Sequence, residues 1–263
     1  MNILSYQGTP RSGDIASNLA VIEQTASGAR QLNADVIVFP ELFITGYNIN
    51  KHISALAQPI DGDIVTQLKS IAQLHKVAII VGFPEREKQH VYNSAVAINK
   101  AGVLVGHHRK VFLFGDIEKS LFTPGQQFSV FTLDGYNCAI TICYDIEFPE
   151  SVRYLARKNA QIIFNPTANM TPFSEVPKTL ARARALENGV VVVYANLCGA
   201  EHDLEYTGLS AIISPNGIDL ARAGNSSATL LADVSEVLAS NIVSPTSTQL
   251  IDLKQTVWLT SAN

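Results

Sequence analysis

Short runs of β-branched and other apolar residues recur along this chain and alternate with segments whose apolar positions are spaced for a helix. That alternation constrains the fold more than any other feature. Runs that are apolar at successive positions read as strands covered on both faces, and strands separated by helices demand a layered α/β domain with crossover connections. The runs predict strands at Asn2–Tyr6, Val36–Phe39, Val77–Gly82, Ser94–Asn99, Val103–His107, Cys138–Cys143, Gln161–Asn165, Val190–Ala195 and Leu209–Ser214. Ile15, Leu19, Ile22, Ala26 and Ala29 follow Asp14 at helical spacing, with the aspartate as N-cap, and Val65, Leu68, Ile71, Ala72 and Leu74 repeat the pattern. Further helices are predicted from Pro149 to Asn159 and from Pro177 to Asn188, Pro149 suiting a first turn. Lys100-Ala101-Gly102 and Pro215-Asn216-Gly217 read as hairpin turns, so the sheets should mix antiparallel hairpins with helix crossovers.

With 263 residues, 47% of them hydrophobic, the chain can bury one large core. No repeat, low-complexity linker or composition break divides it, so residues 1–263 read as a single domain. The tail from Val243 to Asn263 is polar and turn-rich except around Val257–Leu259, and reads as a segment that packs on a partner subunit. A net charge of −4 disfavours nucleic acid or an anionic membrane as partner, since either rewards a basic face. No stretch approaches the roughly 18 apolar residues of a spanning helix, and Met1–Tyr6 lacks the basic-then-apolar pattern of a leader, so a cytoplasmic protein is expected. The cysteines, Cys138, Cys143 and Cys198, are odd in number and form no CxxC pair, which fits a working thiol better than a disulfide framework.

Two of the apolar runs, and one basic run, lead directly into residues with chemistry. Cys143 closes Ala139-Ile140-Thr141-Ile142 ahead of a turn into a helix, where α/β sheets present ligand-binding side chains and where the next backbone N–H can face a developing oxyanion. By itself it reads equally as a small buried hydrophobe. Glu41 follows Val36-Ile37-Val38-Phe39-Pro40; desolvation of such a carboxylate suits a group that shuttles a proton near neutral pH, while its bland role is to cap the loop Leu42–Asn48. Lys110 ends the basic run His107-His108-Arg109-Lys110, either a solvated sheet edge or an ammonium turned inward, and Glu118 is placed to hold it or to lie on the surface.

Together with their surroundings these residues stand in FPELFITGYN, HRKVFLFGDIEKSLFTPG and TICYDIEFPE. In those three segments, in that order, the chain closely resembles the nitrilase superfamily of carbon-nitrogen hydrolases, from the first strand to at least Asp233. The resemblance implies a four-layer α-β-β-α sandwich, dimers formed through helices beside the site, and a catalytic set of Glu41, Lys110 and Cys143. Glu118 takes the supporting role and the Tyr144 backbone the oxyanion donor. Asn165–Pro172 and Tyr194–Gly208 look most like bacterial aliphatic amidases of the 5-aminopentanamidase and R-stereoselective type, acting on small carboxamides through a Cys thioester. No cofactor is implied.

The acids Glu201, Asp203 and Glu205 lie where a pocket mouth is expected and would attract a cationic amine, or they form a solvated loop. Four other readings stay open: nitrile or N-carbamoyl hydrolysis on the same triad; a silent binding protein on this fold; a papain-like pair of Cys143 with His107, His108 or His202; and a nucleotide-binding domain, against which GxGxxG and GxxxxGK[ST] are both missing. No HExxH is present and no metal is expected.

Overall fold

Asp14 opens the first helix as the spacing predicts: its carboxylate accepts the Ser17 N–H at 3.0 Å, and α1 (Ile15–Gln31) buries Leu19, Ile22, Ala26 and Ala29. This helix is the crossover from β1 (Asn2–Gln7) to β2 (Val36–Val38). A short α2 (His52–Leu56) and α3 (Asp63–His75) then lead to β3 (Ala78–Glu87), which again pairs in parallel with β2. From there the chain turns back on itself through β4 (His90–Ile98) and β5 (Leu104–Arg109), both antiparallel, the second hairpin turning at the predicted Lys100–Gly102. The computed structural model describes residues 1–239 and 248–255.

After α4 (Gly115–Leu121) the same plan is repeated. Strands β6 (Val130–Leu133) and β7 (Tyr136–Ile140) form a hairpin; α5 (Pro149–Arg157) crosses to β8 (Ile162–Thr167), and α6 (Ala181–Asn188) crosses to β9 (Val191–Asn196). A small ribbon, β10 (Cys198–Glu201) with β11 (Leu204–Thr207), precedes β12 (Ala211–Ile213), β13 (Asp219–Arg222) and β14 (Ala228–Asp233). The sheet orders are β14-β1-β2-β3-β4-β5 and β13-β12-β9-β8-β7-β6. Each sheet thus has three parallel strands at its heart and antiparallel strands outside them, the mixture foreseen from the turn signals.

The layers follow from which side chains meet. Ile3, Val36, Val38, Ile80 and Ala97 of the first sheet pack face to face with Ile140, Ile162, Phe164, Val193 and Ile212 of the second. The other face of the first sheet takes Ile22 and Ala26 of α1 and Val65 and Leu68 of α3, and the other face of the second takes Val152 and Leu155 of α5 and Ala181 and Ala185 of α6. The result is an α-β-β-α sandwich, and the fully apolar runs are the strands buried on both faces.

Several boundaries differ from the sequence reading. The strand expected to run to Cys143 ends at Ile140, because Cys143 adopts a φ of +45° and opens a 3-10 turn, Cys143–Glu147. The turn at Pro215–Gly217 anticipated β13 without its bounds, while β6, β10, β11 and β14 went unforeseen; β14 alternates half-buried and exposed residues and lacks the continuous apolar run that marks the inner strands. Ahead of the tail lies α7 (Ser235–Ala239); of the tail itself Thr248 and α8 (Gln249–Gln255) are described, and α8 rests on α6 of its own chain with Leu250 against the outer core. The remainder of 243–263 lies outside the described residues, and with it Val257–Leu259. Among the described residues no helix is long and apolar enough to cross a membrane.

Candidate active site

Glu41 lies three residues past β2 in a turn pressed against β3. A side chain at Gly82 would place its Cβ 2.4 Å from the Leu42 nitrogen and 2.9 Å from the Glu41 Cα, so the close approach requires glycine there. The Gly82 N–H donates to Pro40 O at 3.3 Å, and Leu42 takes a φ of +49° to complete the turn. The Glu41 side chain is left with no exposed surface.

Lys110 is the first residue beyond β5. Its N–H donates to Asn93 O at 2.8 Å and its carbonyl accepts the Gly125 N–H at 2.8 Å, which fixes the backbone from both sides. Strand alternation divides the basic run between two faces. His107 and Arg109 go to Glu85, at 2.6 and 3.1 Å, while His108 meets Asp145 at 2.8 Å and Lys110 turns inward. The Lys110 ammonium donates to Glu41 Oε1 at 2.8 Å and to Glu118 Oε1 at 2.7 Å, and is itself only 1% exposed. Glu118 is held in turn by the Tyr47 hydroxyl at 2.7 Å and the Phe114 N–H at 2.8 Å.

The turn carrying Cys143 is tied to this assembly by Asp145. Its Oδ1 accepts the N–H groups of Val111 and Phe112, at 3.1 and 2.9 Å; its Oδ2 accepts the Ile142 N–H at 3.0 Å and the His108 Nε2–H at 2.8 Å. One buried carboxylate therefore joins the segment after Lys110 to the residue before Cys143. The left-handed backbone at Cys143, which costs about 1–2 kcal/mol for a non-glycine residue, raises its side chain out of the strand pattern to a half-buried position. The charges that bear most on the thiol are those of Glu41, Lys110 and Glu118. Four side chains from three distant segments thus converge on one locus.

Its electrostatics are those of two carboxylates sharing one ammonium. Burial works against the Lys110 charge, yet Glu118 and Glu41 outweigh it and hold its pKa well above the ordinary lysine range. Burial pushes the Glu41 carboxyl up and the Glu118 charge adds to this, while Lys110 pulls it back. The Cys143 thiol is pushed up by burial first and by Glu41 second, against Lys110, so the resting sulfur keeps its proton. Cys138 is buried, its thiol pushed up to about 12 by desolvation, and Cys198 is buried too. What separates Cys143 from both is its company: Glu41, Lys110 and Glu118 act on it, whereas among the described residues the only charge that bears on Cys138 is that of Asp134.

A cavity of about 230 Å³ opens on Glu118 and Tyr47, walled by Phe114, Leu121, Phe122, Met170 and Leu204 and carrying Asp116 and Asp203. Of the three acids expected at a pocket mouth, only Asp203 stands there. Glu201 is drawn inward and 3% exposed, its oxygens taken by Ser12 Oγ at 2.7 Å, Tyr206 OH at 2.6 Å and the N–H groups of Tyr47 and Asn48 at 3.1 and 2.9 Å. It fastens the loop after Glu41 and has no capacity left for a ligand. Glu205 is exposed on β11 and pairs across the ribbon with Ala200. The histidines named for a Cys-His pair are engaged elsewhere, His107 with Glu85 and His108 with Asp145, and His202 is exposed at the turn of the ribbon. Among the described residues no group of three or more His, Cys, Asp or Glu side chains is placed to hold a metal ion.

The sequence reading passed over Asn93, whose Nδ2 donates to Glu41 Oε1 at 2.6 Å, and Tyr47, Asp145 and Glu147. Tyr47, Asp145 and Glu147 lie inside the quoted motifs and were within reach; Asn93 sits in an unremarkable stretch of β4 with no local signal.

Two sheets back to back between helix layers, with a carboxylate, an ammonium and a thiol gathered beyond the carboxyl ends of their strands, define a hydrolase of the α-β-β-α sandwich class. The carbon-nitrogen hydrolase family profile matches residues 3–241, and the chain belongs to that family, the nitrilase superfamily of enzymes that hydrolyse carbon-nitrogen bonds other than peptide bonds. It is 41% identical to the "Hydrolase in pqqF 5'region" of Pseudomonas protegens, covering 90% of this chain and 84% of that one. It is 34% identical to an (R)-stereoselective amidase of a Pseudomonas species, covering 85% and 81%. A solved amidase from Nesterenkonia sp. AN1, carrying the product of Michael addition of acrylamide at its active-site cysteine, superposes with a TM-score of 0.82 at 29% identity, over 97% of this chain and 98% of that one.

Proposed function

We propose that the protein is an amidase that cleaves small aliphatic carboxamides to the acid and ammonia, with Cys143 as nucleophile, Glu41 as proton carrier and Lys110 as charge stabiliser. The observation that carries this reading is the pair of contacts from the Lys110 ammonium to Glu41 and Glu118 beside the Cys143 thiol. Amidase activity in two relatives, one with its cysteine modified by acrylamide, supports it.

In this mechanism Glu41 accepts the thiol proton as Cys143 attacks the carbonyl carbon. The oxyanion faces the Lys110 ammonium and the Tyr144 N–H, which lies in the first turn of the 3-10 segment, where backbone donors have no partner further up the turn. Glu41 then delivers the proton to the leaving nitrogen, ammonia departs, and a thioester remains. The same carboxylate, ionised again, activates water to release the acid. The largely apolar cavity favours an aliphatic chain, and Asp203, whose carboxyl is held below the usual range by Asn48, stays anionic to receive a terminal ammonium. An ω-amino amide such as 5-aminopentanamide meets both requirements.

The test is a mass-spectrometric search for an acyl group on Cys143 of the unsubstituted enzyme, acid-quenched during turnover of a panel of small amides. Acylation from amides, with ammonia and no carbon dioxide released by the unsubstituted enzyme, is the expected result. No adduct on Cys143 with any amide, or turnover only of nitriles or N-carbamoyl compounds, overturns the reading. Equal kcat/KM for pentanamide and 5-aminopentanamide removes Asp203 from it.

A further inference from the structure

Near Cys143 the second sheet carries a strip of polar groups that the reaction outlined above does not use. The parallel register pairs Ile140 with Phe164 and Asn165 with Tyr194, and the Thr141 N–H extends it with a bond to Phe164 O at 3.0 Å, so the chain leaves β7 toward Cys143 alongside the Asn165–Thr167 end of β8. Asn165 Nδ2 donates to Thr141 Oγ1 at 3.0 Å, in keeping with that register. Asn165, Thr167 and Tyr194 are at most 1% exposed, yet Asn165 Oδ1, Thr167 Oγ1 and the Tyr194 hydroxyl have no hydrogen-bond partner among the described residues.

Leaving such a group unsatisfied costs about 1–3 kcal/mol, and folded proteins keep few of them. Packing gives no reason to collect three. The Thr167 hydroxyl lies close enough to the Cys143 thiol and the Tyr194 phenol to favour the anionic form of each, although neither contact has the distance and angle of a full hydrogen bond in the resting protein. A neutral thiol is a weak acceptor, whereas a thiolate is a strong one. An anionic sulfur would supply the Thr167 hydroxyl with the strong acceptor that it lacks.

We propose that Thr167 is a further catalytic residue, its hydroxyl turning to donate to the Cys143 sulfur once that atom becomes anionic, with Tyr194 as a positioning residue whose hydroxyl then donates to Thr167 Oγ1. The proposal rests on the reading of Cys143 as nucleophile. The only proton that moves between residues passes from Cys143 Sγ to Glu41, and both hydroxyls keep theirs. Because the bond to sulfur gains its strength only while that atom carries charge, it lowers the barrier without tightening substrate binding. The charged groups facing the thiol are Glu41 from the turn after β2, Lys110 from the end of β5 and Glu118 from α4, while Glu147 of the nucleophile's own turn bears on Tyr194.

The test is the rate of Cys143 alkylation by iodoacetamide in the full-length protein, followed by peptide mass spectrometry from pH 6 to 10 so that Cys138 and Cys198 are read separately. Thr167→Val, which keeps the branched shape and removes the hydroxyl, is expected to move the profile alkaline by about one pH unit, close to a tenfold slower reaction below its midpoint. Tyr194→Phe should move it less in the same direction, and Thr167→Ser should restore it. With an amide substrate kcat should fall while KM holds. Wild-type profiles for both Thr167→Val and Tyr194→Phe, or a Thr167→Ser profile matching Thr167→Val, overturn the proposal. Should Thr167→Val fail to fold, Tyr194→Phe decides by the same profile. Failure of the underlying reading looks different: Cys143→Ala then retains turnover.

Discussion

Asp145→Asn is the perturbation that most directly probes how the site is held. The carboxylate accepts four hydrogen bonds and is fully buried. If asparagine keeps its oxygen toward Val111 and Phe112, its amide NH₂ must face the Ile142 N–H and the His108 ring. Two donors then meet at Ile142, which is itself buried, and that orphaned N–H costs about 1–3 kcal/mol. The remaining bonds to Val111 and Phe112 lose charge assistance, which roughly halves each. The sum is about 3 kcal/mol, a large part of the 5–15 kcal/mol typical of a folded domain. Flipping the amide only moves the clash to Val111 and Phe112. The expected outcome is a protein that folds with a lowered urea midpoint and loses at least tenfold in kcat, because the same bonds set the distance between Lys110 and Cys143. Unchanged turnover alongside a lowered midpoint would show that Asp145 contributes to stability and not to the alignment of the site; neither changing would refute the account of this cluster altogether.

Lys110→Met leaves Glu41 and Glu118 facing each other without their shared cation, a change expected to cost about 3–5 kcal/mol. One carboxyl must then hold its proton; with a folded pKa above its unfolded one, the variant should gain thermal stability on acidification from pH 8 to 5, and a flat Tm over that interval counts against the shared-cation picture. Glu85 works in the opposite sense. Although burial opposes its charge, bonds from His107, Arg109 and Ser94 lower its pKa from 4.5 to about 2. Its contribution, about 3 kcal/mol, is therefore complete above pH 4.5 and lost as pH falls toward 2, so Glu85→Gln should flatten the acid limb of a Tm-against-pH curve. Burial raises the Glu41 carboxyl above 4.5; as the base must be ionised, the acid limb of kcat/KM should fall above that value, and a limb at or below it would contradict the role of Glu41.

Much of this architecture was legible in the chain because the inner strands are sealed on both faces. β1, β2, β3, β7, β8 and β9 had to be apolar at successive positions, and the helices crossing between them had to be apolar at a period near 3.6. Edge elements escaped for the same reason in reverse: β13 and β14 face solvent on one side and carry mixed residues, so no run announces them. The turn after β7 was misplaced by three residues because the left-handed backbone of Cys143 is imposed by the bonds to Asp145 and has no signature in residue type.

The site divides along the same line. The sequence marked Glu41 and Cys143 because each closes an apolar run, whereas Lys110 and Glu118 stood out only through the family resemblance of the segment that holds them. Which cation of His107–Lys110 turns inward was a matter of strand parity and of where Glu85 and Asp145 happened to lie. That Glu201 fastens a loop while Asp203 meets the cavity depended on four donors gathered from Ser12, Tyr47, Asn48 and Tyr206. Local sequence determines what a segment can bury and what chemistry it carries. Partnership between segments a hundred residues apart is settled only when the sheets close on each other, because hydrogen-bond direction and exclusion of water are properties of the assembled interior.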